Sequence, residues 1–329
     1  MTTTIPLRLG TRRSPMALSQ SGAVARLITA RTGREIELIG ITSHGDVSQA
    51  QLTQIGGTGV FVSNLREALL RGEADFAVHS LKDLPTAAAP GITLAAIPDR
   101  DDPRDALVGR DGLKFADLPR GARIGTGSPR RAQQLCLLRS DITCVPIRGN
   151  ANTRLAKVSS GELDAVVLAY AGLARIGHTH LVSEIFEPDS MLPAPGQGAL
   201  AIECRADNPE MIRLLSSVDD AATRSAVTAE RTLLATLEAG CSAPVGAYAC
   251  GSTRMKLQAV VVGVDETAGS ETMVVREHAE GRAAEAAGLG RDLAARMLAR
   301  GAARLMGAAD SKSDGAPRGR TTDRDDAHD

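Results

Sequence analysis

The chain has 329 residues, 43% of them hydrophobic, which is enough for two or three domains with a substantial core. Its formal net charge of -1 gives no reason to expect nucleic acid or an anionic membrane as a partner. Five cysteines without a CxxC pair indicate neither a disulfide framework nor a zinc site, so we expect no metal and a reducing compartment.

The ends of the chain carry no membrane or export signal in their composition. The first residues lack a cationic start followed by an apolar segment, and no apolar run approaches the roughly 18 residues of a membrane span. We expect a cytoplasmic protein without a signal peptide. Residues 309–329 contain no Leu, Ile, Val or Phe and are predicted to be a disordered tail.

The first predicted domain alternates strands with helices. Ser14 followed by Pro15 is a strong helix opening, with Ser as N-cap and Pro in the first turn. The pattern predicts strands at 5–10, 35–42, 75–79 and 92–97, and helices at 15–30 and 61–71. The glycine-rich segment 56–59 is predicted to be a mobile loop. It lacks the lysine of a P-loop, so we expect no nucleotide site.

The pattern begins again after the charged, proline-broken segment 99–104. Gly125-Thr126 with Ser128-Pro129 repeats Gly10-Thr11 with Ser14-Pro15, which indicates two similar α/β domains that each present a helix N-terminus to one cleft. Strands are predicted at 122–125, 142–147 and 164–168, with helices after the first two. The segment 192–198 is a predicted second crossing into a strand at 199–203, which makes a hinged pair of domains.

The period changes in the last third of the chain. Helices are predicted at 209–217 and 220–237, followed by antiparallel strands at 245–250, 257–264 and 272–278 and a helix at 283–306. This order indicates a smaller α+β domain.

Two groups of charged residues are candidates for chemistry. Ser80, Lys82 and Asp83 follow a short buried strand, where open α/β sheets bind ligands, although a solvated strand end would look the same. Arginines concentrate at strand ends and helix starts, which together with the two helix N-termini indicates a cleft for a polyanion; they are Arg12, Arg13, Arg130, Arg131, Arg148, Arg154 and Arg175.

One cysteine differs from the other four. Cys241 lies in a turn of small residues between a predicted helix and a strand, a setting that exposes a thiol. Cys136, Cys144, Cys204 and Cys250 lie in or beside apolar runs, so we expect them in the core.

Taken together, these stretches resemble the porphobilinogen deaminase family, also called hydroxymethylbilane synthase. The motifs occur in the family's order over roughly residues 5–250. They are Gly10-Thr-Arg-Arg-Ser-Pro, His79-Ser-Leu-Lys-Asp-Leu-Pro, Asp102-Pro-Arg-Asp-Ala, Gly125-Thr-Gly-Ser-Pro-Arg-Arg, Ile147-Arg-Gly-Asn with Thr153-Arg, Ala171-Gly-Leu-Ala-Arg, Leu192-Pro-Ala-Pro-Gly-Gln-Gly and Glu238-Ala-Gly-Cys.

The resemblance implies a fold of two type II periplasmic-binding-protein-like α/β domains joined by a double hinge, plus a smaller α+β C-terminal domain. We expect domain 1 at 5–98 and 199–216, domain 2 at 104–192 and domain 3 at 220–308, with Asp83 in domain 1 and Cys241 in domain 3.

The resemblance also implies an activity, that of a transferase of tetrapyrrole (haem, chlorophyll and corrin) biosynthesis. Four porphobilinogens are joined head to tail, each with loss of ammonia, to give 1-hydroxymethylbilane. The chain grows on a dipyrromethane cofactor bound to Cys241 by a thioether, and the enzyme acts as a monomer. Because each pyrrole carries an acetate and a propionate, an arginine-lined cleft suits the growing product.

Site residues follow from the motifs one position at a time. Asp83 matches the catalytic aspartate, which stabilises the positive charge that ammonia loss leaves on the pyrrole. The residues expected to hold cofactor carboxylates are Ser80, Lys82, Thr126, Ser128, Arg130, Arg131 and Arg148. Those expected to face the incoming pyrrole are Arg12, Ser14, Arg154 and Arg175, with Arg148 shared between the two groups.

The chain departs from the family pattern in a few places. Thr58 stands where many members have lysine, so no substrate contact is assigned to that loop. Ala239 and Ser242 replace a glycine and a glutamine beside the cysteine and leave the thiol in place. Gln197 lies in the second crossing, and the motif alone does not define its role.

Two other classes of protein remain open from the residues. The two-domain fold also serves non-enzymatic anion-binding modules. A generic cysteine-nucleophile transferase would need a base, and none of the six histidines falls in a matching motif.

Overall fold

A computed structural model describes residues 5–41, 57–240, 243–265 and 271–307. The predicted tail at 309–329, Cys241, Ser242 and Gly56 lie outside these ranges. The mobile loop predicted at 56–59 is wrong for 57–59, because a helix begins at Gly57. The strands are β1 (Leu7–Thr11), β2 (Ile36–Gly40), β3 (Phe76–Ser80), β4 (Ile92–Ala96), β5 (Asp105–Gly109), β6 (Arg123–Gly125), β7 (Thr143–Val145), β8 (Ala165–Ala169), β9 (Glu184–Phe186), β10 (Leu200–Arg205), β11 (Val245–Cys250), β12 (Arg254–Asp265) and β13 (Glu271–Arg282).

Helices of six residues or more connect these strands within the described ranges. They are α1 (Pro15–Thr32), α2 (Gly57–Leu70), α3 (Pro129–Leu138), α4 (Ala151–Ser159), α5 (Tyr170–Arg175), α6 (Pro209–Leu215), α7 (Ala221–Thr236), α8 (Ala286–Ala299) and α9 (Ala302–Gly307). A short 3₁₀ helix, Leu81–Asp83, follows β3 directly.

Two sheets share one topology. The first has the strand order β2-β1-β3-β10-β4, and the second has the order β7-β6-β8-β5-β9. In each, the first three strands are parallel and the fourth runs antiparallel to both of its neighbours. The internal repeat predicted from the Gly-Thr and Ser-Pro pairs is confirmed, because β1 and β6 hold equivalent places. The predicted α/β fold class is confirmed as well.

Equivalent serines start the helix that follows each of these two strands. Ser14 Oγ accepts a hydrogen bond from the Ala17 amide at 3.3 Å, and Ser128 Oγ accepts one from the Arg131 amide at 3.4 Å. A proline follows each serine at the first helical position, where its missing N–H costs nothing. Both α1 and α3 therefore begin at the carboxyl ends of parallel strands, where α/β sheets bind ligands.

The chain crosses between the two sheets twice, once after β4 and once before β10. The two crossings touch at Gly198, which has a φ of +88°. A Cβ at this position would lie 2.4 Å from the carbonyl oxygen of Asp101. Only glycine permits this approach, so the two crossings pack as one double hinge.

The third sheet, in the order β11-β12-β13, is antiparallel throughout. Its core is formed with α7 and α8 and includes Leu233, Leu257 and Leu293, all fully buried. The helix predicted at 283–306 is divided, because Gly301 adopts a φ of +88° between α8 and α9. The limits expected for the three domains stay a prediction.

The cysteines differ from expectation. Cys204 is buried, whereas Cys144 is half-buried and Cys136 and Cys250 are exposed. The apolar runs misled the prediction for Cys136 because the apolar end of α3 is itself exposed: Leu137 and Leu138 are 44% and 41% accessible. Among the described residues, no helix is long and apolar enough to cross a membrane.

Candidate functional site

A cleft of about 440 Å³ lies where the strand ends of the first two sheets face each other. Four residues predicted to face the incoming pyrrole line it. They are Arg12 and Ser14 in the loop after β1, Arg154 on α4 and Arg175 at the end of α5. Charged and polar residues of its lining include Arg12, Ser14, Gln20, Ser80, Lys82, Asp83, Arg131, Asn150, Arg154 and Arg175. The cleft is therefore strongly cationic, as the arginine positions predict.

Asp83 is placed in this cleft by the short 3₁₀ helix after β3. Leu81 and Leu84 on either side of it are buried, which anchors the turn while Asp83 itself stays half-buried. Asp83 lines both the main cleft and an adjoining cavity beside Gln20 and His79. Within the described ranges, no cationic side chain forms an ion pair with Asp83. Its carboxylate is consequently available to a bound molecule.

Lys82 points toward the second sheet. Its Nζ donates a hydrogen bond to Gln197 Oε1 at 3.2 Å. Burial and, to a smaller extent, the charge of Arg131 lower the pKa of Lys82 to about 8, while Asp83 and Asp105 oppose the shift. A carboxylate bound beside Lys82 would raise this pKa, because it favours the charged amine.

Gln197, whose role the motif alone left open, connects the two sheets. Its side chain is 1% accessible. It accepts from Lys82 at 3.2 Å and from Arg131 at 3.4 Å, and its Nε2 donates to Pro103 O at 2.7 Å and to Asp105 Oδ1 at 2.9 Å. One amide thus holds the lysine of the first sheet beside the arginine of the second.

Asp105 is a site residue that sequence reasoning missed. It is fully buried on β5, with Arg130 Nη2 2.7 Å from Oδ2 and Arg131 Nη2 2.8 Å from Oδ1. The two guanidinium groups hold the pKa of the Asp105 carboxyl far below its usual range despite its burial. In the sequence, Asp105 is part of the Asp102-Pro-Arg-Asp-Ala motif, but no role was assigned to that motif.

Arg130 and Arg131, both predicted to hold carboxylates, are buried and already partly engaged. Arg130 Nη1 donates to Leu192 O at 2.6 Å, and Arg131 Nη1 donates to Val167 O at 3.1 Å. Burial lowers the pKa of Arg130, against the effect of Asp105. Within the described part of the chain, Arg130 Nε is buried without a hydrogen-bond partner. That orphaned donor fits an anionic group.

A second cavity, of about 360 Å³, adjoins the cleft and shares Lys82, Asp83 and Arg131 with it. Lys82, Asp83, Ser128, Arg130 and Arg131 are among the residues that line it. A smaller cavity of about 30 Å³ continues from Lys82 and Arg130 to Gly240 and Ala243, the described residues that flank 241–242. The donor set is therefore continuous up to the segment that contains Cys241.

The remaining cationic side chains of the cleft are held at its rim. Arg154 Nε donates to Gly149 O at 2.9 Å, and burial lowers the pKa of Arg154. Arg175 lies 2.7 Å from Asp101 Oδ2 and donates to Gly198 O at 2.7 Å. Ser80 Oγ accepts from Gln20 Nε2 at 2.8 Å, and Gln20 itself lines the cleft although the motifs did not mark it.

Two of the predicted carboxylate ligands lie differently. Thr126 is buried, and its Oγ1 accepts from the Ser128 amide at 3.2 Å, which shapes the turn before α3. Arg148 is exposed and lines none of the four cavities named above, although its neighbour Gly149 lines the cleft. Cys241 and Thr58 lie where no side chain is described.

These features define a class: an α/β protein with two sheets of one topology, an arginine-lined cleft between them, and a third, antiparallel sheet. Among the described residues that line the cleft, Asp83 is the one carboxylate, and it forms no ion pair. The comparisons identify the family. A family model described as "Porphobilinogen deaminase, dipyromethane cofactor binding domain" matches residues 7–213, and a second, "Porphobilinogen deaminase, C-terminal domain", matches residues 225–299. The chain belongs to the porphobilinogen deaminase family.

Curated relatives match over nearly the whole chain. The porphobilinogen deaminase of Thermobifida fusca (strain YX) is 60% identical over 309 residues, covering 92% of this chain and 96% of the relative. Porphobilinogen deaminase 1 of Streptomyces coelicolor is 57% identical, covering 92% and 97%. The VFT2 domain of Bordetella pertussis BvgS matches at 18% identity and a TM-score of 0.40, covering 65% of this chain and 85% of that one, which is too low to support an inference.

Proposed function

We propose that this chain joins four porphobilinogens head to tail, each with loss of ammonia, to 1-hydroxymethylbilane, and that Asp83 is its catalytic residue. The observation that carries the proposal is the position of Asp83: a half-buried carboxylate without an ion pair in the described ranges, in a cleft whose other charged side chains are cationic. Membership of the family supports the reaction.

The cationic side chains bind the substrate. Porphobilinogen carries an acetate and a propionate, and Arg12, Arg154 and Arg175 present guanidinium groups to the cleft that pair with carboxylates in bidentate fashion. Ser14 adds a hydroxyl at the start of α1. Exposed Arg148 is assigned to the same carboxylates, because it lies one residue before the lining residue Gly149.

Asp83 acts where positive charge develops. As the aminomethyl nitrogen leaves as ammonia, the substrate carbon becomes electron-poor and the charge spreads to the pyrrole N–H. A fixed carboxylate that accepts a hydrogen bond from this N–H stabilises the transition state more than the ground state. The buried leucines beside Asp83 hold it in place, so little reorganisation is needed during the reaction.

The residues present also fit the dipyrromethane cofactor that the family carries. Lys82, Ser128, Arg130 and Arg131 line the second cavity, and the unpartnered Nε of Arg130 provides a donor for a carboxylate. Ser80 at the cleft, Thr126 behind the turn and Arg148 complete the proposed set. We assign the covalent attachment to Cys241, whose flanking residues line the connecting cavity. When bound, the cofactor supplies the pyrrole carbon to which the first substrate is joined.

The proposal is tested with the purified chain from cofactor-replete cells. We expect an intact mass above that of the bare chain by two condensed pyrroles, absent from Cys241→Ser, together with release of ammonia and 1-hydroxymethylbilane from porphobilinogen. Binding of carboxylates at the bare mass, without turnover, would instead identify an anion-binding module of the same fold.

We further propose that the enzyme is a cytoplasmic monomer. Light scattering of the purified protein in solution should give the mass of a single chain, near 34.2 kDa. A dimer mass would contradict this part of the proposal.

A further inference from the structure

Helix α7 connects three parts of the molecule, and two of its consecutive residues, Glu230 and Arg231, hydrogen-bond to different parts. Glu230 is fully buried and accepts from Arg100 at 2.7 and 3.0 Å, from the Gly196 amide at 2.6 Å and from the Ala249 amide at 2.8 Å. It thereby joins both interdomain crossings to β11. The next residue, Arg231, contacts the turn after β3 instead.

Arg231 binds the backbone of the turn that carries Asp83. Its Nη1 donates to Leu84 O at 3.0 Å and Leu81 O at 3.4 Å, and its Nη2 donates to Pro85 O at 2.7 Å. These carbonyls flank Asp83 on both sides. A guanidinium group can reach all three because its donors form a planar fork, which an ammonium group lacks.

The helical period brings apolar support to the same turn. Val227 and Leu234 lie one turn before and almost one turn after Arg231, on the same face of α7. Val227 packs in a buried cluster with Leu81 and Leu84, and Leu234 lines the small cavity beside Lys82. The 3₁₀ turn is therefore fastened to α7 along about two helical turns.

The same helix leads to the cysteine turn. α7 ends at Thr236, and Gly240 follows in the small cavity that reaches Lys82 and Arg130. One rigid element thus fixes the Asp83 turn and the start of the segment that contains Cys241.

We propose that Arg231 is a positioning residue for Asp83, and that α7 sets the position of the catalytic carboxylate relative to the third domain. The inference rests on the proposed function of Asp83. Loss of the guanidinium fork frees three carbonyls around the turn, so the carboxylate samples positions away from the substrate N–H. Substrate binding, which depends on arginines elsewhere, changes little.

The test compares Arg231→Met with Arg224→Met in the cofactor-loaded protein. Arg224 is a matched control because it lies on the same helix, is half-buried and donates to a carbonyl of the first sheet, Ala95 O, at 3.1 Å, away from Asp83. We expect Arg231→Met to lower kcat on the order of tenfold or more with KM within about threefold, and Arg231→Lys to recover part of kcat. Arg224→Met should keep kcat while losing a comparable amount of thermal stability.

Equal kcat in Arg231→Met and Arg224→Met would overturn the proposal. If Arg231→Met fails to fold, Arg231→Lys against Arg224→Lys gives the same comparison. Hydrogen exchange of the amides of residues 81–86 provides a readout besides activity: it should accelerate only in the Arg231 variants. An inactive wild type with this exchange pattern would refute the proposed function alone, whereas an active wild type with unchanged exchange would refute the role of Arg231.

A second observation concerns two thiols outside the cleft. Cys136 on α3 and Cys144 on β7 place their Sγ atoms 3.9 Å apart, in van der Waals contact. Cys136 is exposed, and half-buried Cys144 donates to Ala132 O at 3.7 Å. Burial raises the pKa of Cys144 to about 12, so its thiol is protonated at neutral pH.

We infer that Cys136 and Cys144 form a reversible oxidation site that reacts with small disulfides. The exposed Cys136 thiolate attacks the small disulfide and releases one small thiol. The Cys144 sulfur then attacks Cys136, breaks the mixed disulfide and releases the second small thiol, while its own proton goes to that thiol. Two protein thiols are oxidised and one small disulfide is reduced.

Glutathione disulfide and peptide mass spectrometry test the site in the folded, cofactor-loaded protein. We expect a peptide pair linked through Cys136 and Cys144 that has lost two hydrogen atoms, and a stable glutathione adduct on Cys144 or Cys136 only when the other is changed to Ser. Cys250, exposed without a neighbouring thiol among the described residues, is the control and should carry the adduct alone. A stable adduct on Cys136 in the wild type, without the cross-link, would overturn the inference.

Discussion

Two carboxylates stand within the same cationic region and have opposite surroundings. Asp105 on β5 is completely buried and contacts Arg130, Arg131 and Gln197. Asp83, in the turn after β3, is half-buried and has no ion pair within the described ranges. Both lie at the ends of internal strands, in two sheets with one shared topology.

The difference separates two uses of negative charge. Asp105 neutralises part of the arginine charge and orients the guanidinium groups. Its own negative charge is therefore already paired within the protein. Asp83 leaves its charge available, which a catalytic group needs. The five predictions below examine this contrast, beginning with the largest expected effect.

Asp105→Asn should lower the free energy of unfolding by about 3–5 kcal/mol, because it leaves two buried guanidinium groups without their counter-charge. Urea unfolding measures the loss. Exposed Asp207, paired with Arg205 at 2.8 Å, is the control, and Asp207→Asn should leave the free energy of unfolding nearly unchanged.

The pH dependence of the Asp105 effect has a defined sign. Because the pKa of Asp105 is lowered in the folded protein, its contribution is present above the ordinary carboxyl range and is lost as the pH falls through the folded value. The gap between wild type and Asp105→Asn should stay constant between about pH 6 and pH 8 and narrow in acid. A gap that widens in acid would contradict the assignment.

Asp83→Asn should lower kcat by on the order of a hundredfold or more, since it removes the charge opposite the developing cation. The free energy of unfolding of this variant should lie within about 1 kcal/mol of the wild-type value, because no ion pair in the described part depends on Asp83. Steady-state production of 1-hydroxymethylbilane measures the first effect, and urea unfolding measures the second. Near-normal turnover would mean that the catalytic group is elsewhere.

Gln197→Leu should cost about 1–3 kcal/mol of stability, because the Asp105, Arg131 and Lys82 groups that contact the amide lose a buried partner. Gln197→Glu keeps the shape and adds an acceptor, so it should retain the lysine contact while opposing Asp105. Cofactor content by mass should fall in both variants. Full cofactor content in Gln197→Leu would show that the bridge between the sheets is dispensable.

The smallest effect concerns Lys82, whose pKa is lowered to about 8 without a ligand. In the cofactor-free Cys241→Ser protein, acylation of Lys82 should reach half its maximum near that pH. In the cofactor-loaded protein the midpoint should be higher, because nearby carboxylates favour the charged amine. Exposed Lys114 provides the reference reaction. Identical midpoints in both proteins would place the cofactor away from Lys82.

Local signals were sufficient for much of the fold. The Ser-Pro openings at Ser14 and Ser128 predicted two helices that the structure confirms, and their repeat predicted the duplicated sheet. The short buried strand predicted before Ser80 also led to the expectation that Asp83 follows the end of a strand, and the structure has it there. These features depend on near neighbours in sequence, which patterns of residues report well.

Features that depend on distant contacts could not be predicted in this way. β5 was not among the predicted strands, because its apolar run, Ala106–Val108, is short and follows a charged, proline-containing segment, yet it lies between β8 and β9 and is buried throughout. The role of Asp105 depends on that placement, as does the link that Gln197 makes between the sheets. The exposure of Cys136 likewise depends on which face of α3 the second sheet covers.

The most direct measurement is the intact mass of Asp83→Asn and Asp105→Asn, expressed side by side in cofactor-replete cells. The account predicts that Asp83→Asn carries the mass of two condensed pyrroles and turns over very slowly, whereas Asp105→Asn is recovered largely at the mass of the bare chain. A fully loaded and active Asp105→Asn beside a bare Asp83→Asn would contradict it.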